Sequence, residues 1–234
     1  MFELKKIEAE WRARMHKALS FDGVDDYVQI TDNGSLDITG DITVTAWIYP
    51  IEPNRGLIFE NKYASGHYKG VFLWIQPIGR LEFILGNGSK FAVVESDTTL
   101  ETKWYFVVGK REGELVELYI NGVKQNDTDT LTGDIQYYMG RYIRIGLSSL
   151  NAYPFNGLIS HVSIYNRALS ESEIKYLYHN PFDPIDPEHL VLWLNPAGID
   201  VANSKWWDLS GKGNHGTIHG ATEVSLVEEE VKVK

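Results

Sequence analysis

The chain predicts an all-β fold, a two-sheet antiparallel sandwich, from three features of its sequence. Apolar residues alternate with period two from Phe21 onward. Turn residues interrupt these runs at short intervals, and helical spacing is confined to residues 1–17 and 171–179. Period two is the signature of strands that bury one face, and many strands separated by tight turns exclude a βαβ architecture. With 43% hydrophobic residues and no cysteine, the core must form without disulfides, and a chain of 234 residues is long enough for one extended sandwich.

The elements follow in order. Leu4, Ile7, Trp11 and Met15 are three or four apart and predict an amphipathic helical arm over residues 1–17. This arm either packs on its own domain or docks on a neighbouring subunit. In Asp41-Ile-Thr-Val-Thr-Ala-Trp-Ile-Tyr49, Ile42, Val44, Ala46 and Ile48 share one face and Thr43, Thr45, Trp47 and Tyr49 the other, predicting a half-buried strand. Strands at 71–76 and 80–85 flank Pro77-Ile-Gly79, and strands at 104–110 and 115–120 flank Arg111-Glu-Gly-Glu114. Asn121-Gly122 is a type I′ hairpin signal, so 123–126 returns antiparallel to the strand before it. Residues 126–132 and 137–154 read as connections, the second holding a strand at 142–147.

After a strand at 158–165, Ser170-Glu-Ser-Glu173 has the form of a capping box and opens a helix over 171–179. Asn180-Pro-Phe-Asp-Pro-Ile-Asp-Pro187 carries three prolines and predicts a stiff linker. Strands at 190–194 and 217–224 enclose the turn-rich 208–216.

Two segments, Ala18-Leu-Ser-Phe-Asp-Gly-Val-Asp-Asp-Tyr-Val-Gln-Ile30 and Gly157-Leu-Ile-Ser-His-Val-Ser-Ile-Tyr-Asn-Arg-Ala-Leu-Ser-Glu-Ser-Glu-Ile174, bracket the strand run. Over 18–178 the chain resembles the laminin-G-like, pentraxin-related modules of the concanavalin A-like lectin/glucanase superfamily. That resemblance implies a jelly roll. Asp208-Leu-Ser-Gly-Lys-Gly-Asn-His-Gly-Thr-Ile-His-Gly-Ala-Thr222 matches a phrase that in such modules precedes the Phe-Asp-Gly motif, yet here it comes last. Residues 18–234 therefore read as one sandwich in which 188–224 supplies the opening strands. It does so within the chain, as a permutation, or by exchange with a neighbour; a truncated second repeat is the other alternative.

Catalysis is not expected. Glucanases of the superfamily place carboxylates at i, i+2 and i+4 on one strand. Glu95-Ser-Asp97 lacks the third acid, and Glu112, Glu114 and Glu117 cross a turn. No Gly-x-Ser-x-Gly elbow occurs. Gly211-Lys-Gly-Asn-His-Gly216 lacks the Lys-Ser/Thr ending of a phosphate loop, and His215 and His219 share a face only on a helix. A net charge of −10 without a basic stripe argues against nucleic acid.

The resemblance implies calcium near a sandwich edge. Asp22, Asp25 and Asp26 beside Gly23 are candidate ligands, with Asp208 and Asn214 from the returning segment, although acids so placed equally cap turns. Gly157-Leu-Ile-Ser-His-Val162 departs from the Gly-x-Ile-Asp-Glu-Val of related modules and loses both acids. Sugar recognition requires aromatic platforms with polar groups beside them. Tyr137, Tyr138, Tyr142, Tyr153, Trp206 and Trp207 are the candidates, and alternation buries one of each adjacent pair.

The expected function is non-catalytic binding of a glycan or surface protein, with a virion or assembly component as the alternative. Self-association would run through the arm or through strand exchange. Charges in the first twelve residues fit no secretory signal, and no segment approaches ~18 apolar residues, so membrane insertion is not expected. An extracellular surface or a virion is the expected location.

Overall fold

The computed structural model describes residues 17–226, except 32, 54, 65–66 and 140–141, with backbone only at 63–64. The expected arm thus lies outside the described residues apart from Lys17, which begins a strand. The described residues form sixteen strands and one α-helix.

One layer holds β1 (Lys17–Asp22), β3 (Ile42–Pro50), β8 (Tyr105–Glu112), β9 (Leu115–Ile120), β10 (Val123–Thr130), β12 (Asn156–Tyr165) and β16 (Thr222–Ser225). The other holds β2 (Tyr27–Ile30), β4 (Gly56–Ala64), β5 (Lys69–Ile75), β6 (Arg80–Asn87), β7 (Phe91–Thr99), β11 (Ile143–Ile145), β14 (Lys205–Asp208) and β15 (Gly216–His219). The remaining strand, β13 (Leu190–Asp200), joins them: Leu194 faces Val162 on β12, whereas Ile199 faces Trp206 on β14, across a register break. The hydrogen-bonded order is β10-β9-β8-β3-β12-β13-β14-β15-β2-β11-β4-β5-β6-β7, with β1 between β12 and β16, and all neighbours are antiparallel. Residues 190–225 thus pair within this chain, β15 lying beside β2 and β16 beside β1.

Apolar residues from both layers fill the space between them, among them Val44, Ala46, Ile48 and Val107 from the first and Leu73, Phe83, Leu85 and Val94 from the second. The layers meet closely at Gly109 on β8, where an added Cβ would stand 2.4 Å from the Phe83 ring of β6. Only glycine leaves room for that ring.

The face of the first layer turned away from this core is also buried, which corrects the half-buried reading of β3. Helix α1 (Glu171–His179) and residues 180–187 cover it, so Trp47, Phe106, Tyr119 and Tyr165 pack against Ile174, Leu177, Tyr178, Phe182 and Ile185. The Trp47 and Tyr178 rings stack at 5.7 Å. The capping box forms as expected: Ser170 Oγ accepts from Glu173 N–H, and the Glu173 carboxylate accepts from Ser170 N–H. Arg167 clamps the start of the helix through Glu173 Oε1 at 2.7 Å and Asp186 Oδ2 at 2.5 Å.

Residues 126–130 continue β10 rather than forming a connection. The side chains of this polar run close the sandwich: Val93 N–H donates to Asp129 Oδ2, Glu95 N–H to Asp127 Oδ2 and Asp97 N–H to Gln125 Oε1. Carboxylates thereby satisfy edge N–H groups of β7 that would otherwise invite another strand.

Candidate functional site

The outward faces of the two layers differ. On the covered face, a cavity of about 20 Å³ lies among Thr45, Trp47, His161, Ser163 and Tyr165 beneath Pro181 and Pro184, enough for a single water and too small for a sugar ring. His161 is buried there with Nδ1 3.0 Å from Ser160 Oγ, and desolvation lowers its pKa to about 3.

The outward face of the second layer carries large exposed side chains, including Tyr142, Trp207 and Tyr68. Pairing places one residue from each strand in a transverse row: Lys205, Thr217, Gln29, Arg144, Glu60, Phe72, Ile84 and Val93. At about 4.8 Å per strand the row extends some 30 Å. Its first five residues are polar or charged and its last three apolar, so the face has two chemically distinct halves.

In the apolar half, Phe72, Trp74, Phe91, Val93 and Tyr153 pack around Leu57 and Ile84. Tyr153 lies 4.9 Å from the Trp74 ring with the Arg55 guanidinium 4.6 Å above it. It reaches this place from a positive-φ position (φ 59), and its carbonyl accepts from Leu57 N–H. Trp74 Nε1 donates to Glu82 Oε2 at 2.5 Å, while burial raises the Glu82 pKa.

In the polar half, planar groups form a stack. The His219 and Tyr27 rings lie 4.3 Å apart, and the Arg144 guanidinium is 4.1 Å from the Tyr27 ring and 5.1 Å from Tyr142. Arg144 donates to Gln29 Oε1, Ser148 O and Asn151 Oδ1. Lys205 Nζ donates to Thr217 Oγ1 at 2.9 Å. Desolvation lowers the His219 pKa, and the nearby positive charges of Arg144 and Lys205 lower it further.

The six aromatic candidates therefore separate. Tyr142 and Tyr153 both lie on this face, Tyr142 by Arg144 in the polar half and Tyr153 by Trp74 in the apolar half, and Trp207, alternating with buried Trp206, points outward at its far end, 39% exposed. Trp206 is corrected to a core residue: it is fully buried, and its Nε1 donates to Asn195 O. Tyr137 is partly buried: it packs against the core with its hydroxyl bonded to Ile38 O, and burial holds its phenol far above the usual range. The Tyr138 ring lies 4.5 Å from His67, tilted by 33°, and is not one of the row's residues. Sequence reasoning missed Arg144, Gln29, Tyr27, Lys205 and Trp74, because only register shows that they converge; the alternation of Tyr27 and Gln29 around Val28 was the available signal.

The metal candidates separate too. Asp22, Asp25 and Asp26 each offer an oxygen within a span of 4.8 Å. Asp26 Oδ2 accepts from Asp22 N–H and Asp22 Oδ1 from Val24 N–H, so the acids also brace their own turn. Desolvation raises the Asp26 pKa, and repulsion from Asp22 and Asp25 adds to it. The donors are of the hard oxygen type calcium prefers, although three carboxylates are fewer than its six to eight ligands. Asp208 and Asn214 are not in this group and brace their own turn: Asp208 accepts from Trp193 N–H, Ser210 N–H and Asn214 N–H, and Asn214 Nδ2 donates to Val191 O and Ser35 Oγ.

The structure also sets two carboxylates opposite one another, Glu82 and Glu95, on the apolar half. Each has its own partner, Trp74 for Glu82 and Arg80 for Glu95. Asp97, weighed as a catalytic acid from the sequence, is occupied by the Asn126 backbone and side chain.

Several solved structures share this fold. A candidate carbohydrate-binding protein from Bacteroides ovatus is 21% identical with a TM-score of 0.68; the match covers 91% of this chain, which spans 60% of that one. The IT-sialidase CBM40 of Ruminococcus gnavus, bound to α2,3-sialyllactose, is 16% identical with a TM-score of 0.58, over 70% of this chain and 98% of that one. Domain 4 of an extracellular GH43 arabinanase from Geobacillus stearothermophilus, in complex with arabinotriose, is 19% identical with a TM-score of 0.54, over 69% of this chain and 76% of that one. No curated protein sequence matches the chain. A laminin G family model, described as the concanavalin A-like lectin/glucanases superfamily, matches residues 22–175, more than half of the chain. The chain belongs to that superfamily.

Proposed function

We propose that this protein is a non-catalytic glycan-binding module whose ligand lies along the outward face of the second layer. The observation that carries the reading is the transverse row. Aromatic rings at Tyr142, Tyr153 and Trp207 flank hydrogen-bonding groups at Gln29, Thr217 and Lys205, while the equivalent face of the first layer is covered by α1. Rings offer apolar sugar faces a flat surface, and amides, hydroxyls and ammonium groups bond sugar hydroxyls. Sharing a fold with sugar-bound modules supports the reading; the row supplies the residues.

Binding rather than hydrolysis is the reading that the opposed acids favour. Glu82 accepts from Trp74 and Glu95 pairs with Arg80, so each of these two carboxylates has a partner of its own. Calcium, where it contributes, would be held by Asp22, Asp25 and Asp26, directly before Tyr27, and would brace the turn at the edge of the binding face.

The test is a glycan array probed with the purified chain, in calcium and in chelator, followed by a reducing-end assay on every glycan bound. Selective binding weakened by Tyr153→Ala and by Trp207→Ala, without hydrolysis, is expected. New reducing ends would overturn the non-catalytic part. Binding unchanged by both substitutions would remove the proposed face.

A further inference from the structure

Arg144 carries a feature that glycan binding alone does not require. Its side chain is 93% removed from solvent (7% exposed), yet among the described residues it has no carboxylate within ion-pair distance. Burying an unpaired charge costs several kcal/mol, and proteins normally offset that with a counter-ion. Glu60 stands opposite Arg144 on β4, with its Oε1 accepting from Ser149 N–H at 2.7 Å, so it acts on the guanidinium through space and makes no direct ion pair with it. Gln29, Ser148 and Asn151 supply only neutral acceptors, and they use four of the five guanidinium N–H groups. The rings of Tyr27 and Tyr142 both lie within cation–π distance of its guanidinium.

Two further basic groups lie on the same half of this face. Lys205 and His219 lie on the adjoining strands β14 and β15, and Lys205 belongs to the same row as Arg144. The charges of Arg144 and Lys205 act on His219, so all three share one local field. In a chain of net charge −10, this half of the face concentrates positive charge around hydroxyl and amide groups.

We infer that Arg144, Lys205 and His219, with Gln29 and Thr217, form an anion subsite that selects acidic glycans, those bearing a carboxylate or sulfate. The inference rests on the glycan-binding reading and names the ligand class of that same face. Lys205 and His219 at the surface make the direct contacts, and Arg144 supplies a fixed positive field with one remaining N–H donor. An arriving anion completes the charge balance of the buried guanidinium, and a neutral sugar does not.

The groups that act on His219 are the Tyr27 ring stacked on it and the charges of Arg144 and Lys205. An anion bound among them favours the imidazolium, so the His219 pKa rises on binding.

The experiment compares matched oligosaccharides by calorimetry: uronate-bearing, sulfated and neutral chains of the same length, at low and at physiological salt. In parallel, free glucuronate, free sulfate and glucose are titrated while the His219 imidazole is followed by NMR. Acidic glycans are expected to bind about tenfold more tightly than neutral ones, with a preference that shrinks in salt and under Lys205→Gln. Glucuronate or sulfate, and not glucose, should raise the His219 pKa; the two acidic arms show which group is preferred. Equal affinity for neutral and acidic chains, with His219 unmoved by either anion, overturns the subsite and leaves the glycan reading standing. A His219 response to free anions without binding of any oligosaccharide keeps the subsite and overturns that reading.

Discussion

His161 makes the stability of this fold depend on mild acid. Its ring is buried under Phe182, which meets it edge-on at 4.8 Å, and no acid lines its cavity. The native state therefore holds it neutral, with a pKa of about 3 against 6.5 for an unperturbed histidine. Between those values the unfolded chain binds a proton that the folded chain refuses, so stability falls with falling pH by about 1.4 kcal/mol per unit. The contribution is fully present above pH 6.5 and erodes below it. From pH 7 to pH 5 the loss is about 2 kcal/mol, a large part of the 5–15 kcal/mol typical of a domain. Urea unfolding at pH 7, 6 and 5 measures the slope, and His161→Leu removes it. The substitution also breaks the contact with Ser160, so the variant is less stable at pH 7; the decisive quantity is the difference in pH slope between the two proteins. Parallel slopes for wild type and variant would refute the neutral, buried assignment.

Three further outcomes are expected. Gly109→Ala must displace the Phe83 ring, which costs about 1–3 kcal/mol and is measured as a lower urea midpoint with unchanged slope. Glu173, held at a pKa of about 2 chiefly by its bond to Arg167, contributes stability above pH 4.5 that is lost as pH falls towards 2; allowing for solvent screening this is about 1–2 kcal/mol, and Glu173→Gln should flatten that part of the acid limb. If the acidic turn holds calcium, millimolar calcium should raise Tm by a few degrees and Asp25→Asn should abolish the rise, whereas equal shifts in both proteins would dissociate calcium from this turn.

Local pattern made much of the sandwich legible. The Asn121-Gly122 hairpin, the capping box at Ser170 and the alternation in β3 each depend on neighbouring residues, and the structure has all three. Residues 126–130 were misread because an edge strand with an exposed side lacks the apolar alternation that marks a buried one. Its aspartates gain their purpose only when β7 lies within hydrogen-bond reach. The same limit governs the site: Trp206 and Trp207 are equivalent as letters, and burial distinguishes them only once β13 bends from one layer into the other.

The sequence by itself determined the superfamily, the antiparallel class and most element types, because propensity, capping and period-two patterning are written in consecutive residues. It also contains no acid triplet at i, i+2 and i+4. Only the tertiary structure decided which residues share the open face. Tyr27, Arg144 and Lys205 lie far apart in the chain, and strand register, set by pairings between β14, β15, β2 and β11, brings them together. Local alternation says which side chains of one strand share a face, but which strands pair, and at what offset, is a long-range property that consecutive residues do not record.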